Sequence, residues 1–217
     1  IDVLGNEQWS KTFDGGIIDL AFDVLQTSDG GYIIVGETHS FGEIKGWIIK
    51  TDNNGNTCDY SGDGNCQGEG TFAVVYESSN GYSRLWDVVE TSDNSYFVIA
   101  SQLLTSANSY DFLLLKIKST NGNLVWEKNF GGTGSDYVYS MQQTYDKGYI
   151  LAGSTDSFNP GNDYWVIKTD SLGDEQRHYV IDRGLAETAF DVHQNYLGDY
   201  LVVGDKGGDV WLVAIDG

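Results

Sequence analysis

Four stretches of the chain are apolar at successive rather than alternating positions: 32–36 (YIIVG), 96–100 (YFVIA), 149–153 (YILAG) and 200–204 (YLVVG). A strand with one wet face alternates apolar and polar residues, so runs of this kind predict strands buried on both faces. Each run closes an eleven-residue stretch that aligns with the others without gaps: 22–32 (FDVLQTSDGGY), 86–96 (WDVVETSDNSY), 139–149 (YSMQQTYDKGY) and 190–200 (FDVHQNYLGDY). Asp29-Gly30 supplies the positive-φ position of a tight hairpin turn, so two strands are expected on either side of it. A polar loop and an aromatic-led run follow, at Trp47, Phe112, Trp165 and Trp211. Next come the turns 53–56 (NNGN), 120–123 (TNGN) and 171–174 (SLGD), and then a fourth strand ends the unit, as in 72–76 (FAVVY) and 126–130 (WEKNF). Every copy therefore predicts four antiparallel strands.

The leading aromatics lie 64, 53 and 51 residues apart, and the longer first interval holds an insertion at 57–68 that carries both cysteines. Setting those twelve residues aside leaves an interval of 52, so the period is regular. Four doubly buried strands per copy, repeated around an axis, predict an all-β, four-bladed β-propeller. The expected blades within the single domain 1–217 are 18–77 with the insertion, 84–130, 136–181, and 187–216 completed by 7–13. Completion by 7–13 (EQWSKTF) rests on Trp9 and Phe13, which align with Trp126 and Phe130 of a fourth strand, so 8–12 should pair antiparallel with 211–215. The same strand arithmetic fits two chains exchanging ends into an eight-bladed ring, and it fits a fragment of a longer repeat protein.

The phrase W-x-K-x-F-G-G…Q-T-x-D-x-G-Y-I-x-x-G…S-F…D-x-W-x-I-K-T-D-x-x-G runs cleanly from Trp126 to Gly173. It resembles the tandem repeats of secreted and surface-anchored prokaryotic propeller proteins. The resemblance covers nearly the whole chain and implies an extracellular location; its motifs are turns and core positions, so it implies no activity. The fourth copy departs most, with Arg183-Gly184 and Gln194-Asn195 in place of the Gly-Gly and Gln-Thr turns.

Composition narrows the partners. With 32 acidic against 12 basic residues the net charge is −20, a field that repels nucleic acid and anionic lipid and favours cations, basic proteins or high salt. No apolar run is long enough to span a bilayer, and Ile1 in place of Met suggests a processed or trimmed chain. Cys58 and Cys66, the two cysteines, lie in one polar segment and read as a local disulfide, hence an oxidising compartment.

Candidate chemistry is sparse. Asp52, Asn54, Asn56 and Asp63 are spaced like the oxygen ligands of a calcium loop, with Asp63 at the twelfth position. Thr57 stands where that loop needs glycine, so the competing reading is a hairpin turn with a pinned loop. Asp23, Asp87 and Asp191 follow the leading aromatic of three copies and could ring a channel around an ion; equally, each could cap a neighbouring strand. The repeating tryptophans suit either sugar stacking or core. His39, His178 and His193 are not at equivalent positions, and nucleophile-elbow and nucleotide-loop motifs are absent. The reading is a secreted or cell-surface acidic propeller that binds or assembles without catalysis. Its expected partners are a surface protein, a glycan or copies of itself, with calcium as the one candidate cofactor. A subunit of an extracellular lattice or filament, and a carbohydrate-binding or carbohydrate-active propeller, are the alternatives.

Overall fold

The computed structural model describes residues 3–60, 64–77, 82–106 and 109–217. Among them there is no helix, and so none long and apolar enough to cross a membrane. The chain folds as sixteen strands in four antiparallel sheets. Sheet 1 holds β1 (Asp19–Gln26), β2 (Tyr32–Thr38), β3 (Lys45–Thr51) and, past the short β4 (Cys66–Gln67), β5 (Phe72–Tyr76) next to β3. Sheet 2 runs β6 (Ser83–Glu90), β7 (Tyr96–Ser106), β8 (Ser109–Lys118), β9 (Leu124–Phe130) in order. Sheet 3 does the same with β10 (Asp136–Gln143), β11 (Tyr149–Thr155), β12 (Asp163–Thr169) and β13 (Glu175–Ile181). Sheet 4 has three strands, β14 (Glu187–Gln194), β15 (Tyr200–Lys206) and β16 (Asp209–Ile215).

The doubly apolar runs do what their pattern requires. In β7, Phe97 and Ile99 pack with Ile33, Val35 and Phe72 of sheet 1, while Val98 and Ala100 pack with Tyr149 and Leu151 of sheet 3. Ile150 and Ala152 of β11 in turn meet Tyr200 and Val202 of sheet 4. Three such clusters join the sheets face to face in chain order, and each fully buried large apolar side chain contributes on the order of 1.5–3 kcal/mol. Among the described residues no buried cluster joins sheet 4 to sheet 1.

Two expectations need correction. The first concerns the register of sheet 2. Gln26 pairs with Tyr32 and Gln143 with Tyr149, but Glu90 pairs with Phe97, so Phe97 takes the place that the alignment gave to Tyr96. A slip of one residue turns every side chain to the opposite face. Leu113, not Phe112, therefore stands opposite Ser101 where Trp47, Trp165 and Trp211 stand opposite Gly36, Gly153 and Gly204. These glycines have a steric reason: a Cβ at Gly153 would lie 1.8 Å from the Tyr137 carbonyl oxygen. In sheet 2 the Ser101 hydroxyl instead donates to the matching carbonyl of Arg84.

The second correction concerns closure. Residues 6–15 form no strand, and β16 pairs only with β15, so the expected ladder between 8–12 and 211–215 is not made within the chain. The segment lies instead on the outer face of sheet 1, with Phe13 against Trp47 and Ile49 and the Trp9 ring edge-on to Tyr32. Side-chain packing, rather than backbone pairing, holds it.

Candidate functional site

The first strands of the four sheets, β1, β6, β10 and β14, each carry a β-bulge, at Phe22, Trp86, Tyr139 and Phe190. An extra residue in one strand re-aims its side chain. Here the four bulged aromatics form one row across the sheets, with ring centroids 4.5, 5.5 and 5.4 Å apart. Arg84 lies over Phe22 and Trp86 and forms an ion pair with the buried Glu37 of sheet 1.

The residue after each bulge reaches the next sheet. Asp23 accepts from Val88 N at 3.1 Å, Asp87 accepts from Met141 N at 2.6 Å, and Ser140 Oγ accepts from Val192 N at 3.4 Å. Asp191 accepts from Ser140 Oγ at 2.8 Å and from its own neighbour Val192 N. Among the described residues Asp191 accepts from no backbone N–H of another sheet. Burial pushes the Asp87 carboxyl up to about 7, with the nearby Asp23 charge acting in the same direction. Asp23 and Asp87 thus cap a strand of the next sheet, Asp191 accepts from the Ser140 side chain instead, and the three carboxylates do not form a trio within reach of one ion.

Asp52, Asn54 and Asn56 form a turn. Asp52 Oδ1 accepts from Asn54 N and Asn56 N at 2.8 Å each, and Oδ2 accepts from Asn56 Nδ2 at 3.0 Å. These hydrogen bonds, from Asn56 above all, hold the Asp52 carboxyl below its usual range. Asp170 caps Leu172 N and Asp174 N in the same way in sheet 3. Asp63 lies outside the described residues. Cys58 and Cys66 are bonded, with Cα atoms 5.9 Å apart, and no free cysteine exists.

The tryptophans are mainly core. Trp47 and Trp165 are buried, Trp165 against Phe112 at 4.6 Å, and Trp211 packs on Tyr164 at 4.7 Å. Trp9 is the exposed one, beside a cleft of about 470 Å³ that Lys11, Phe13, Val24, Tyr32 and Ile34 also line. His39 contacts Glu37, His178 contacts Glu175 and His193 contacts Gln142, at three separate places.

One convergence of oxygens escaped the sequence reading. Asp163 at the start of β12, Asp182 after β13 and Glu187 at the start of β14 bring one donor atom each within 4.8 Å of one another, the one such trio among the described residues. Asp163 and Glu187 are buried and Asp182 is exposed. The signal lay in the turn where the fourth copy loses its Gly-Gly: Asp182 and Glu187 are five apart, as are Asp14 and Asp19. At the junction of sheets 2 and 3 the matching residues are Asp111, Gly131 and Asp136, two acids that burial pushes up. No protein-family model matches the chain, and no curated protein matches it either.

Proposed function

We propose that the chain is a secreted or cell-surface module that acts by binding and assembly without catalysis, its four sheets serving as blades of a β-propeller-type ring that a second copy completes. One observation carries this reading. Residues 7–13 sit on sheet 1 as β9 sits on sheet 3, although the rest of a preceding sheet is not there. Lys11 Nζ donates to Asn56 Oδ1 at 2.9 Å on sheet 1, and Lys128 Nζ donates to Asp174 Oδ1 at 2.7 Å on sheet 3. A Cβ on Gly55 would lie 2.7 Å from the Trp9 ring, and one on Gly173 would lie 2.7 Å from the Trp126 ring. Residues 7–13 thus occupy the place of an outer strand without its sheet, and sheet 4 is a sheet without its outer strand.

The exposed faces complement one another. Val210 and Leu212 of β16 are 89% and 65% exposed, as apolar as the inner faces of sheets 1 to 3 are when packed. Leu20 and Val24 of β1 lie open on the other end. An apolar edge strand left open is a template for pairing with another chain. Heterologous contacts of this kind close into rings or run on as filaments, so the lattice reading shares this interface. The disulfide supports an oxidising compartment. The buried tryptophans give a sugar-stacking role little support.

The β8–β9 register, in which Leu114 pairs with Lys128, sets Leu212 opposite Lys11. Chains carrying Lys11→Cys and chains carrying Leu212→Cys, mixed and oxidised, should give a covalent heterodimer on a non-reducing gel. No heterodimer, together with an internal crosslink in the double variant, would mean that a single chain closes alone and would overturn the reading.

A further inference from the structure

We propose that Asp163, Asp182 and Glu187 form a calcium site at the junction of sheets 3 and 4. Three donor oxygens within 4.8 Å of one another can share a single ion, since atoms bound at about 2.4 Å to one centre lie at most twice that apart. Three carboxylates converging in this way repel unless a cation lies between them.

The second observation is Glu187 itself. Its residue is 0% exposed, Oε1 accepts from Leu185 N at 3.2 Å, and Oε2 is buried without any hydrogen-bond partner. A buried carboxylate oxygen left unpaired is costly, and a cation satisfies it. Asp163, 2% exposed, accepts from Asn159 Nδ2 at 3.1 Å, and Asp182 Oδ1 accepts from Gly184 N at 2.6 Å, so each keeps lone pairs for a ligand. All the donors are hard oxygens, which suits calcium rather than zinc. Exposed Asp182 gives access to solvent and to the waters that would complete six to eight ligands.

The junction of sheets 1 and 2 offers an internal control. Its matching residues are Lys45, Glu77 and Ser83, and there Lys45 Nζ lies 3.0 Å from the Glu77 carboxylate. A built-in ammonium replaces one acid of the set and neutralises another.

The matching residues at the two free faces are Asp209, Asp14 and Asp19. Asp14 Oδ1 accepts from Gly16 N at 2.7 Å, as Asp182 Oδ1 does from Gly184 N, and Asp19 accepts from Gly15 N at 2.8 Å. A second calcium site shared between copies rests on the assembly reading above; the site at 163, 182 and 187 does not.

Calorimetric titration of chelator-stripped protein with calcium chloride tests both. Wild type should bind two ions per chain, Leu212→Gln, designed to keep copies apart, one, and Leu212→Gln with Asp182→Asn none that is tighter than a tenth of the parental affinity. At a hundredfold excess over Kd the melting temperature of Leu212→Gln should rise by roughly 5–10 °C. Neither magnesium chloride nor sodium chloride at matched ionic strength should produce that rise. Glu187→Gln should abolish the calcium response while melting no lower than its parent in chelator. An unchanged response in Asp182→Asn and Glu187→Gln, or equal shifts from sodium chloride, overturns the site. One ion per chain in wild type and in Leu212→Gln alike overturns only the shared one.

Discussion

β12 and β16 are the same strand of successive units. Their sequences are DYWVIKT and DVWLVAI, and each sets its tryptophan opposite a glycine of the preceding strand. Yet β12 is buried at all seven positions and β16 at none. What differs is the company each keeps: β12 has β13 along its edge and sheet 4 over its face, whereas β16 has neither. The apolar pattern thus specifies a burial that one chain supplies to β12 and withholds from β16. Covering Val210 and Leu212 would contribute on the order of 1.5–3 kcal/mol each, and that unused stabilisation is available to a second copy.

The largest effect that sharpens the contrast is at the shared tryptophan. Trp165→Ala should lower stability by about 3–5 kcal/mol, the usual loss for a fully buried aromatic. Trp211→Ala should cost less than about half of that in dilute solution, because one side of its ring faces water, and more as protein concentration rises. Chemical denaturation at two concentrations reads both. Equal losses in dilute solution would mean that β16 is covered in the free chain, and the contrast would fail.

The repeat, the disulfide and the four strands of sheets 2 and 3 were legible because local chemistry sets them: apolar runs, Asp-Gly turns, and two cysteines in one short segment. The short β4 that makes sheet 1 five-stranded and the three strands of sheet 4 depart from the expected four. Less local features were not legible. The slip in sheet 2 leaves the eleven-residue alignment intact, since it changes which residues pair and not which residues are present. It shows in the consequences, where Lys116 lies 4.4 Å from the Tyr96 ring, whereas Lys50 and Lys168 pair with Asp29 and Asp146. Closure was misjudged because Trp9 and Phe13 encode a face to be buried but not the partner of the backbone. The trio Asp163, Asp182 and Glu187 was hidden because its members come from two units, and only the packing of sheets 3 and 4 unites them. The Asp after three of the four bulges was legible as recurrent, but only the neighbouring strand in place shows that Asp23 and Asp87 cap it and Asp191 does not.

The second effect, of intermediate size, compares a closed link of the inner row with its open end. Asp87 keeps its proton up to about pH 7 in the folded chain, whereas an ordinary aspartate loses it near about 4. Below about pH 4 both states are protonated, and the stability is fully present. Between about 4 and 7 only the folded state holds the proton, so unfolding releases it and stability falls as pH rises. The loss is complete above about 7. Asp111 and Asp136, also raised by burial, add to the fall. Asp29 and Asp146, which hydrogen bonds from Lys50 and Lys168 hold low against burial, act in the opposite sense below about pH 4. Asp87→Asn should flatten much of the slope, and Asp191→Asn at the open end should leave that part in place. An unchanged slope in Asp87→Asn, measured by thermal melts from pH 4 to 8, would remove the raised carboxyl from the account.

The smallest effect on stability is the most telling for assembly. Leu212→Gln places a polar group where 65% of the residue already meets water, so the free chain should melt within about 1–2 °C of wild type. Association should respond quite differently, because the same side chain would be buried against the next copy. Losing its burial there, on the order of 1.5–3 kcal/mol, weakens self-association roughly tenfold to a hundredfold. Glutamine rather than an acid keeps the net charge at −20, so electrostatic repulsion cannot account for the change. Val24→Gln, on the opposite open face at 61% exposure, should weaken association comparably, since it alters the other half of the same contact. Leu172→Gln is the control: Leu172 is 62% exposed in the turn after β12, away from both faces, and its change should leave association intact. Sedimentation velocity across a concentration series distinguishes these outcomes. If all three variants associate as wild type does, neither face is the interface. If Leu172→Gln is as impaired as the other two, exposed apolar area in general drives association, and the match between β16 and the N-terminal segment explains nothing.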